Sequence, residues 1–250
     1  TRNLGGAAIE RITETVPYLV GGSADLAPST KTLMDAYSDI APDSFGGRNF
    51  HFGVREHAMG SIINGIALYG GFVPFGATFL VFADYMRPPI RLACLMNAQV
   101  IYVFTHDSVF VGEDGPTHQP VEQVASLRLI PNMTVMRPAD GKEVAAAWAY
   151  PLRHEAPTAL VMTRQKLPAI QREEPFSIEG FNRGAYIIAQ TPNTENPDVI
   201  LIATGSELQF TLPTKEALEQ AGYRVRIVSM PSREQFMHQS EYYQQQLITP

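Results

Sequence analysis

Short apolar segments recur along the first two thirds of the chain, and each is followed by a polar or glycine-rich tip. They lie at residues 17–20, 49–54, 99–104, 133–136 and 158–162. Helical patterns follow several of these tips, as after residues 55–57. Apolar residues at consecutive positions are typical of strands buried on both faces of a parallel sheet. The pattern therefore predicts an α/β fold, a mostly parallel sheet with helices on both faces.

The same alternation restarts after a polar stretch at residues 166–180, where prolines and a glutamate pair indicate a linker. Beyond it, residues 185–189, 198–203 and 223–229 have strand character, and a helix is expected to end near Gly222. We assign residues 1–170 to a first domain, residues 171–182 to the linker and residues 183–250 to a second α/β domain. That second domain has too few elements to be complete.

The tips of the predicted strands carry ionisable residues. Asp25, Glu56, His106 and Arg164 each follow a different apolar segment. In open parallel sheets, ligands bind beyond the carboxyl ends of the strands. One polar residue can simply mark the end of a strand, but four ionisable tips in one domain favour a shared site at that edge.

Composition narrows the classes of function. The chain has 250 residues, 45% of them hydrophobic, and a net charge of −6. Such a chain can bury a core, and it gains little from nucleic-acid phosphates or anionic lipids, so we expect neither nucleic acid nor membrane as a partner. The single cysteine, Cys94, excludes an internal disulfide and favours the cytoplasm. Its apolar surroundings indicate a packing role.

Residues 112–120, GEDGPTHQP, combine two glycines, two prolines, an acidic pair and a histidine. A rigid loop of this kind can present acid–base groups to a substrate hydroxyl or carbonyl. The histidine could equally be a hydrogen-bonded surface residue, and the acidic pair a solvated turn. No two of His51, His57, His106 and His118 have the spacing of a zinc motif, so we predict no metal ligands in this chain.

An ordered set of motifs resembles the transketolase family. It runs through residues 23–26 (SADL), 53–60 (GVREHAMG), 105–108 (THDS), 112–120, 137–140 (RPAD), 163–165 (TRQ) and 203–207 (ATGSE). The resemblance implies a thiamine-diphosphate-dependent transferase of the pentose phosphate pathway. Such an enzyme moves a two-carbon ketol unit from a ketose phosphate to an aldose phosphate. Residues 1–170 would be its pyrimidine-binding domain, and residues 183–250 part of its C-terminal domain.

The resemblance also implies roles at the cofactor. Glu56 would share a proton with N1′ of the aminopyrimidine ring, and Asp25 would lie at the cofactor site near the subunit interface. Phe79, Phe82 and Tyr85 would form an aromatic wall against the ring. Without the flanking motifs, Glu56 is better interpreted as an ordinary first-turn helix glutamate, and the spacing of the three aromatic residues alone favours a stripe facing the core.

At the substrate, the resemblance implies that Arg2, Ser29, His106 and Arg164 bind the terminal phosphate. Asp114 would read the hydroxyl stereochemistry near C2. His118 would act with Glu56 as a catalytic residue, because it would lie at the reacting carbons.

In the family the site lies between two subunits, which implies a homodimer. The diphosphate-binding domain, with the ligands of Mg²⁺ or another divalent cation, would precede Thr1, and the chain starts without a methionine. We therefore expect a truncated piece of a longer enzyme that is inactive alone. The alternatives are a related thiamine-dependent ketol transferase, of the dihydroxyacetone synthase or deoxyxylulose-phosphate synthase type, and a non-catalytic dimerisation module.

Overall fold

The computed structural model describes residues 1–248 and contains two β-sheets. The larger sheet has six strands in the order β2-β1-β3-β4-β6-β5, and all of its pairings are parallel. Its strands are β1 (Leu19–Ser23), β2 (Asn49–His51), β3 (Val73–Phe79), β4 (Ile101–Thr105), β5 (Thr134–Met136) and β6 (Thr158–Val161). The predicted mostly parallel α/β sheet is confirmed.

Helices cover both faces of this sheet. On one face lie α1 (Arg2–Thr13) and α6 (Gly141–Ala149), and on the other α3 (Glu56–Tyr69), α4 (Arg87–Met96) and α5 (Gln123–Arg128). A short helix, α2 (Ala27–Thr30), follows β1. Among residues 1–248, no helix combines the length and apolar character needed to cross a membrane.

The central strand β4 explains why the apolar residues are consecutive. Tyr102 and Phe104 pack among the helices on one face, whereas Ile101 and Val103 pack on the other. All four side chains are at most 1% exposed. Because successive strand residues point to opposite faces, a sheet covered on both sides needs apolar residues at every position.

Strand β3 was missing from the predicted strands. It contains Pro74 and Gly76, which both weaken the sequence signal for a strand. The structure uses the glycine for close packing, since a Cβ at Gly76 would lie 2.9 Å from Cδ1 of Ile63 on α3. The helix can approach the sheet only because this position has no side chain.

The smaller sheet has the order β7-β9-β8, with strands β7 (Tyr186–Gln190), β8 (Val199–Ala203) and β9 (Val225–Ser229). Strand β9 is parallel to β8 and antiparallel to β7. The remaining helices are α7 (Ile178–Asn182), α8 (Thr211–Gln220), α9 (Arg233–Met237) and α10 (Glu241–Leu247). The core is continuous between the two sheets, because Tyr186 and Ile227 pack in the same cluster as Trp148 of α6.

A buried polar network joins the first unit, which contains the six-stranded sheet, to the second unit, which contains the three-stranded sheet. Glu143 on α6 is fully buried and accepts hydrogen bonds from the Tyr186 hydroxyl and the Ser229 hydroxyl, each at 2.7 Å. Arg172, in the connecting segment, donates to both carboxylate oxygens of Asp140, at 2.5 and 3.1 Å. Burial raises the pKa of Glu143. Each of these charges is met by several hydrogen bonds, as a buried ionic network requires.

This network predicts a large difference between two arginine variants. The side chain of Arg172 is 3% exposed, whereas that of Arg183, paired with Glu179 on the surface, is 42% exposed. Removing one partner of a buried ion pair strands the others, so Arg172→Met should lower the free energy of unfolding by about 3–5 kcal/mol. Arg183→Met should cost less than about 1 kcal/mol. Urea denaturation checks both values, and equal losses would contradict this account of the network.

Candidate functional site

A cavity of about 530 Å³ opens beyond the carboxyl ends of β1, β2 and β3. It is lined by Ala24, Asp25, Leu26, Val54, Glu56, Phe82, Tyr85 and His118. Five of these residues belong to the site predicted from sequence, and they come from segments as far apart as residues 25 and 118. The parallel order of the strands brings them to one edge.

Glu56 stands at the first position of α3 and is 9% exposed. A tight turn places it there, since Gly53 has a φ of 68° and its carbonyl accepts a hydrogen bond from the Arg55 amide at 2.7 Å. The Glu56 carboxylate has no hydrogen-bond partner among residues 1–248. Neither of its oxygens is among the buried side-chain atoms that lack a partner, so the carboxylate opens to the cavity although the residue as a whole is largely buried, and it is available to a ligand that can share a proton with it.

The aromatic residues follow the geometry of a 3₁₀ helix. Phe79 ends β3, and the 3₁₀ helix Leu80–Met86 carries Phe82 and Tyr85. With three residues per turn, positions i and i+3 lie on the same side, which explains the spacing of the three rings. Phe82 stacks between Phe79 and Tyr85, at centroid distances of 5.9 and 6.1 Å. Phe79 is 6% exposed and Tyr85 63%, so the stripe runs from the core to the surface.

Only two of the three predicted aromatic residues line the cavity. Phe79 is 6% exposed and lies behind Phe82, with its ring centroid 3.7 Å from that of His106. His118 also lines the cavity, with its ring centroid 5.4 Å from that of Phe82. Phe79 thus connects the cavity with the group of charged residues beside it.

That neighbouring group contains the predicted phosphate-binding residues. Arg2 Nη1 donates to the Ser29 carbonyl at 2.6 Å and lies 3.4 Å from Nε2 of His106. Arg164 bonds to Glu113, and its Nε lies 3.5 Å from Oδ2 of Asp114. Burial, followed by the nearby charge of Arg164, lowers the pKa of Arg2. Two guanidiniums therefore lie close enough to repel each other, an arrangement that an anion would stabilise.

His106 is held as a neutral imidazole. Because the Arg2 guanidinium can only donate, Nε2 of His106 accepts, and the ring proton lies on Nδ1, 2.8 Å from the Thr105 hydroxyl. Burial, with the charges of Arg2 and Arg164, lowers the pKa of His106 to about 3. Its φ of 63° is a left-handed conformation that residues other than glycine rarely adopt.

A buried clamp supports the residue beside His106. The Asp107 side chain is 1% exposed and accepts from Nε and Nη2 of Arg137, at 3.1 and 2.8 Å. The same Nη2 donates to Glu207 of the second unit at 3.0 Å. Sequence reasoning gave none of these residues a role. The sequence did contain a signal for this clamp. Three motifs at strand ends each contribute one charged residue, and the guanidinium of Arg137 is opposite in charge to the carboxylates of Asp107 and Glu207.

The donor set fits a flat heterocycle better than a metal ion. An apolar wall of Phe82 and Tyr85 suits a planar ring, and the Glu56 carboxylate suits a ring nitrogen that shares a proton. No group of three or more His, Cys, Asp or Glu side chains in the described part of the chain is arranged to hold a metal ion.

Comparisons with known proteins show to which family the chain belongs. A sequence model described as the transketolase pyrimidine binding domain matches residues 1–169, and one described as the transketolase-like TK C-terminal domain matches residues 184–250. The first unit, with its cavity at the carboxyl edge of a parallel sheet, is thus a pyrimidine-binding α/β domain. The chain belongs to the transketolase family, whose members are thiamine-diphosphate-dependent transferases.

The relatives are longer than this chain. Transketolase from Aquifex aeolicus is 51% identical over 100% of this chain, which covers 36% of that protein. The structure of Pichia stipitis transketolase in complex with sedoheptulose 7-phosphate has a TM-score of 0.93 and 39% identity, over 100% of this chain and 37% of that one. A split-gene transketolase, described as an inactive β4 tetramer, has a TM-score of 0.74 and 26% identity, over 92% and 71%. The chain spans about a third of the length of the curated relatives it matches.

The environment of His106 predicts an unusual titration. Its pKa of about 3 lies below the value of about 6.5 for an unfolded histidine. The folded protein therefore binds fewer protons, and the stability of the fold should decrease as the pH falls from about 6.5 towards 3. Histidine-ring NMR should find His106 neutral at pH 5, and all six histidines near the unfolded value in urea. Titration of His106 near pH 6.5 in the folded protein would refute the assignment.

Proposed function

We propose that this chain supplies the pyrimidine side of a transketolase that moves a two-carbon ketol unit from a ketose phosphate to an aldose phosphate. One observation carries the proposal: the Glu56 carboxylate has no hydrogen-bond partner among residues 1–248 and lines a cavity with an aromatic wall. Membership of the transketolase family supports the same reaction.

In this proposal, Glu56 shares a proton with the N1′ atom of the aminopyrimidine ring, and Phe82 and Tyr85 pack against the ring face. Thiamine diphosphate, when bound, supplies the nucleophilic carbon and the electron sink that the amino-acid side chains lack. Asp25 lies at the cavity mouth, and His118 moves a proton at the reacting carbonyl of the substrate. Phe79 keeps the stack in place from behind.

The charged group beside the cavity binds the sugar phosphate. Arg2 and Arg164 bind the terminal phosphate with Ser29 and His106, because forked guanidinium donors match phosphate oxygens. Asp114 accepts from a sugar hydroxyl. The crystallised complex of the Pichia stipitis relative with sedoheptulose 7-phosphate supports a phosphorylated sugar as the substrate class.

The rest of the site comes from outside this chain. The cavity is open where Val54 and Tyr85 are 75% and 63% exposed, which supports completion by a partner subunit in a homodimer. The diphosphate contacts and the ligands of Mg²⁺ or another divalent cation belong to the other two thirds of the enzyme. The inactive β4 tetramer of the related split-gene transketolase supports the proposal that residues 1–250 alone do not transfer ketol groups.

Complementation tests this proposal. The 250-residue chain alone should not convert xylulose 5-phosphate and ribose 5-phosphate, whereas mixing it with a separately made diphosphate-binding portion should restore turnover. Glu56→Gln should then lower kcat by about 10²–10⁴-fold, since a proton-sharing group is lost. Glu241→Gln is the control, because Glu241 also begins a helix but lies outside the cavity.

Four results would count against parts of this proposal. Turnover by the chain alone would refute the claim that a further portion of the enzyme is required. Full activity of Glu56→Gln would refute the proton-sharing role of Glu56. No rescue by the added portion would favour the non-catalytic dimerisation module. A preference for formaldehyde over ribose 5-phosphate as acceptor would favour a dihydroxyacetone synthase.

A second test concerns the phosphate. Arg164→Ala in the complemented enzyme should raise the KM for ribose 5-phosphate by about 10–100-fold, as expected for a lost charge-assisted hydrogen bond of about 1.5–3 kcal/mol. The KM for unphosphorylated glycolaldehyde should change little. Arg11→Ala, which removes a guanidinium with an 81% exposed side chain on α1, is the control. An equal rise for both acceptors would exclude a phosphate contact.

A further inference from the structure

A second cavity, of about 740 Å³, lies at the opposite edge of the large sheet. It is formed at the amino ends of β5 and β6, where α9 of the second unit packs against the first. None of the residues of the candidate site lines it. The mechanism proposed above therefore leaves this cleft without a role.

The cleft contains more positive than negative side chains. Its basic and acidic residues are Arg128, Arg153, His154, Glu155, Arg233, Glu234 and His238. Three arginines thus face two glutamates, in a chain whose net charge is −6. Arg128 pairs with Glu234 at 3.3 Å, whereas neither guanidinium of Arg153 and Arg233 has an ion-pair or hydrogen-bond partner within residues 1–248.

Arg128 forms the inner wall and is only partly neutralised. Its side chain is 19% exposed, and its buried Nε makes no hydrogen bond to any residue that the structure describes, although Glu234 lies 3.3 Å away. Burial lowers the pKa of Arg128, and the charges of Arg137 and Arg233 lower it further, against the effect of Glu234. The guanidiniums of Arg128 and Arg233 therefore repel each other across the cleft, and an anion between them would remove that repulsion.

The imidazole of His154 is fixed with one nitrogen left for a ligand. Its ring stacks on Tyr150 at a centroid distance of 3.9 Å. Its Nδ1 lies 2.9 Å from the Tyr150 carbonyl, which can only accept, so Nδ1 donates, and Nε2 has no partner in the described part of the chain. On the other side, Gln235 of α9 donates to the Thr134 hydroxyl at 3.1 Å, which holds the two walls together.

We propose that this cleft binds a small phosphorylated anion at a site separate from the candidate active site. Guanidiniums from three elements converge on one concavity: Arg128 ends α5, Arg153 lies between α6 and β6, and Arg233 begins α9. Forked donors of this kind suit phosphate oxygens. The volume falls in the range of about 300–1,000 Å³ typical of small-molecule sites. Because the ligand bridges both units, it stabilises their contact.

Histidine-ring NMR of the 250-residue chain tests the proposal with inorganic pyrophosphate as the probe. Pyrophosphate should shift the His154 and His238 signals saturably at constant ionic strength, while sodium chloride should not. The Arg153→Ala/Arg233→Ala double variant should weaken this binding at least about tenfold, because two charge-assisted contacts are lost. Arg153 and Arg233 are exposed, so their removal should leave the fold intact. Unchanged signals of the other four histidines in the ligand-free double variant would verify this.

The control is Arg11→Ala, which should bind pyrophosphate at the cleft as the unchanged chain does. Shifts confined to His106 and His118 would overturn the proposal, since they would mean that the anion occupies only the candidate active site. Saturable shifts of His154 and His238 that persist in the double variant, or equal shifts with chloride, would overturn it as well. The outcome is independent of ketol transfer, so it also separates this proposal from the proposed function.

Discussion

The parallel pairing of β1 to β6 is the constraint on which the candidate site depends. All six strands end at the same edge, so residues as distant in sequence as Asp25, Glu56, His106 and Arg164 lie along one edge of the sheet. Covering both faces with helices makes such pairing stable, and it requires apolar residues throughout the strands. The polar chemistry is therefore confined to the tips, where the strands leave the core.

Glu143 and Glu56 differ in their hydrogen-bond partners, and this difference distinguishes a structural glutamate from one that is available to a ligand. Glu143 and Glu56 both lie in the first turn of a helix, and both are at most 9% exposed. Glu143 accepts from Tyr186, Ser229 and the amide of Ala139, so its burial is compensated within the protein. Glu56 has no partner among the residues described here. The same side chain is structural in one case, where it is fully buried and paired, and available to a ligand in the other, where the carboxylate opens to the cavity.

The sequence carried most of the fold and part of the site. Five of the six large-sheet strands followed from consecutive apolar residues, but β3 did not, because Pro74 and Gly76 depress the strand signal. The spacing of Phe79, Phe82 and Tyr85 could not distinguish a core stripe from a cavity wall, since that depends on a 3₁₀ helix selected by tertiary packing. The family motifs supplied the site residues. The clamp of Arg137 depends on how the second unit packs against the first, because that packing brings Glu207 to Arg137 and Asp107. Local sequence patterns do not encode this packing.

The three-residue edge strand β5 shows why the second unit matters to the first. At its carboxyl end, Arg137 joins Asp107 to Glu207, and its carbonyl accepts from the Gly205 amide at 3.0 Å. At its amino end, Thr134 accepts from Gln235 on α9. The second unit is thus attached at both ends of β5, beside His106 at the carboxyl end and in the cleft at the amino end. A rigid-body rotation of that unit would change both attachments together, because one short strand carries them.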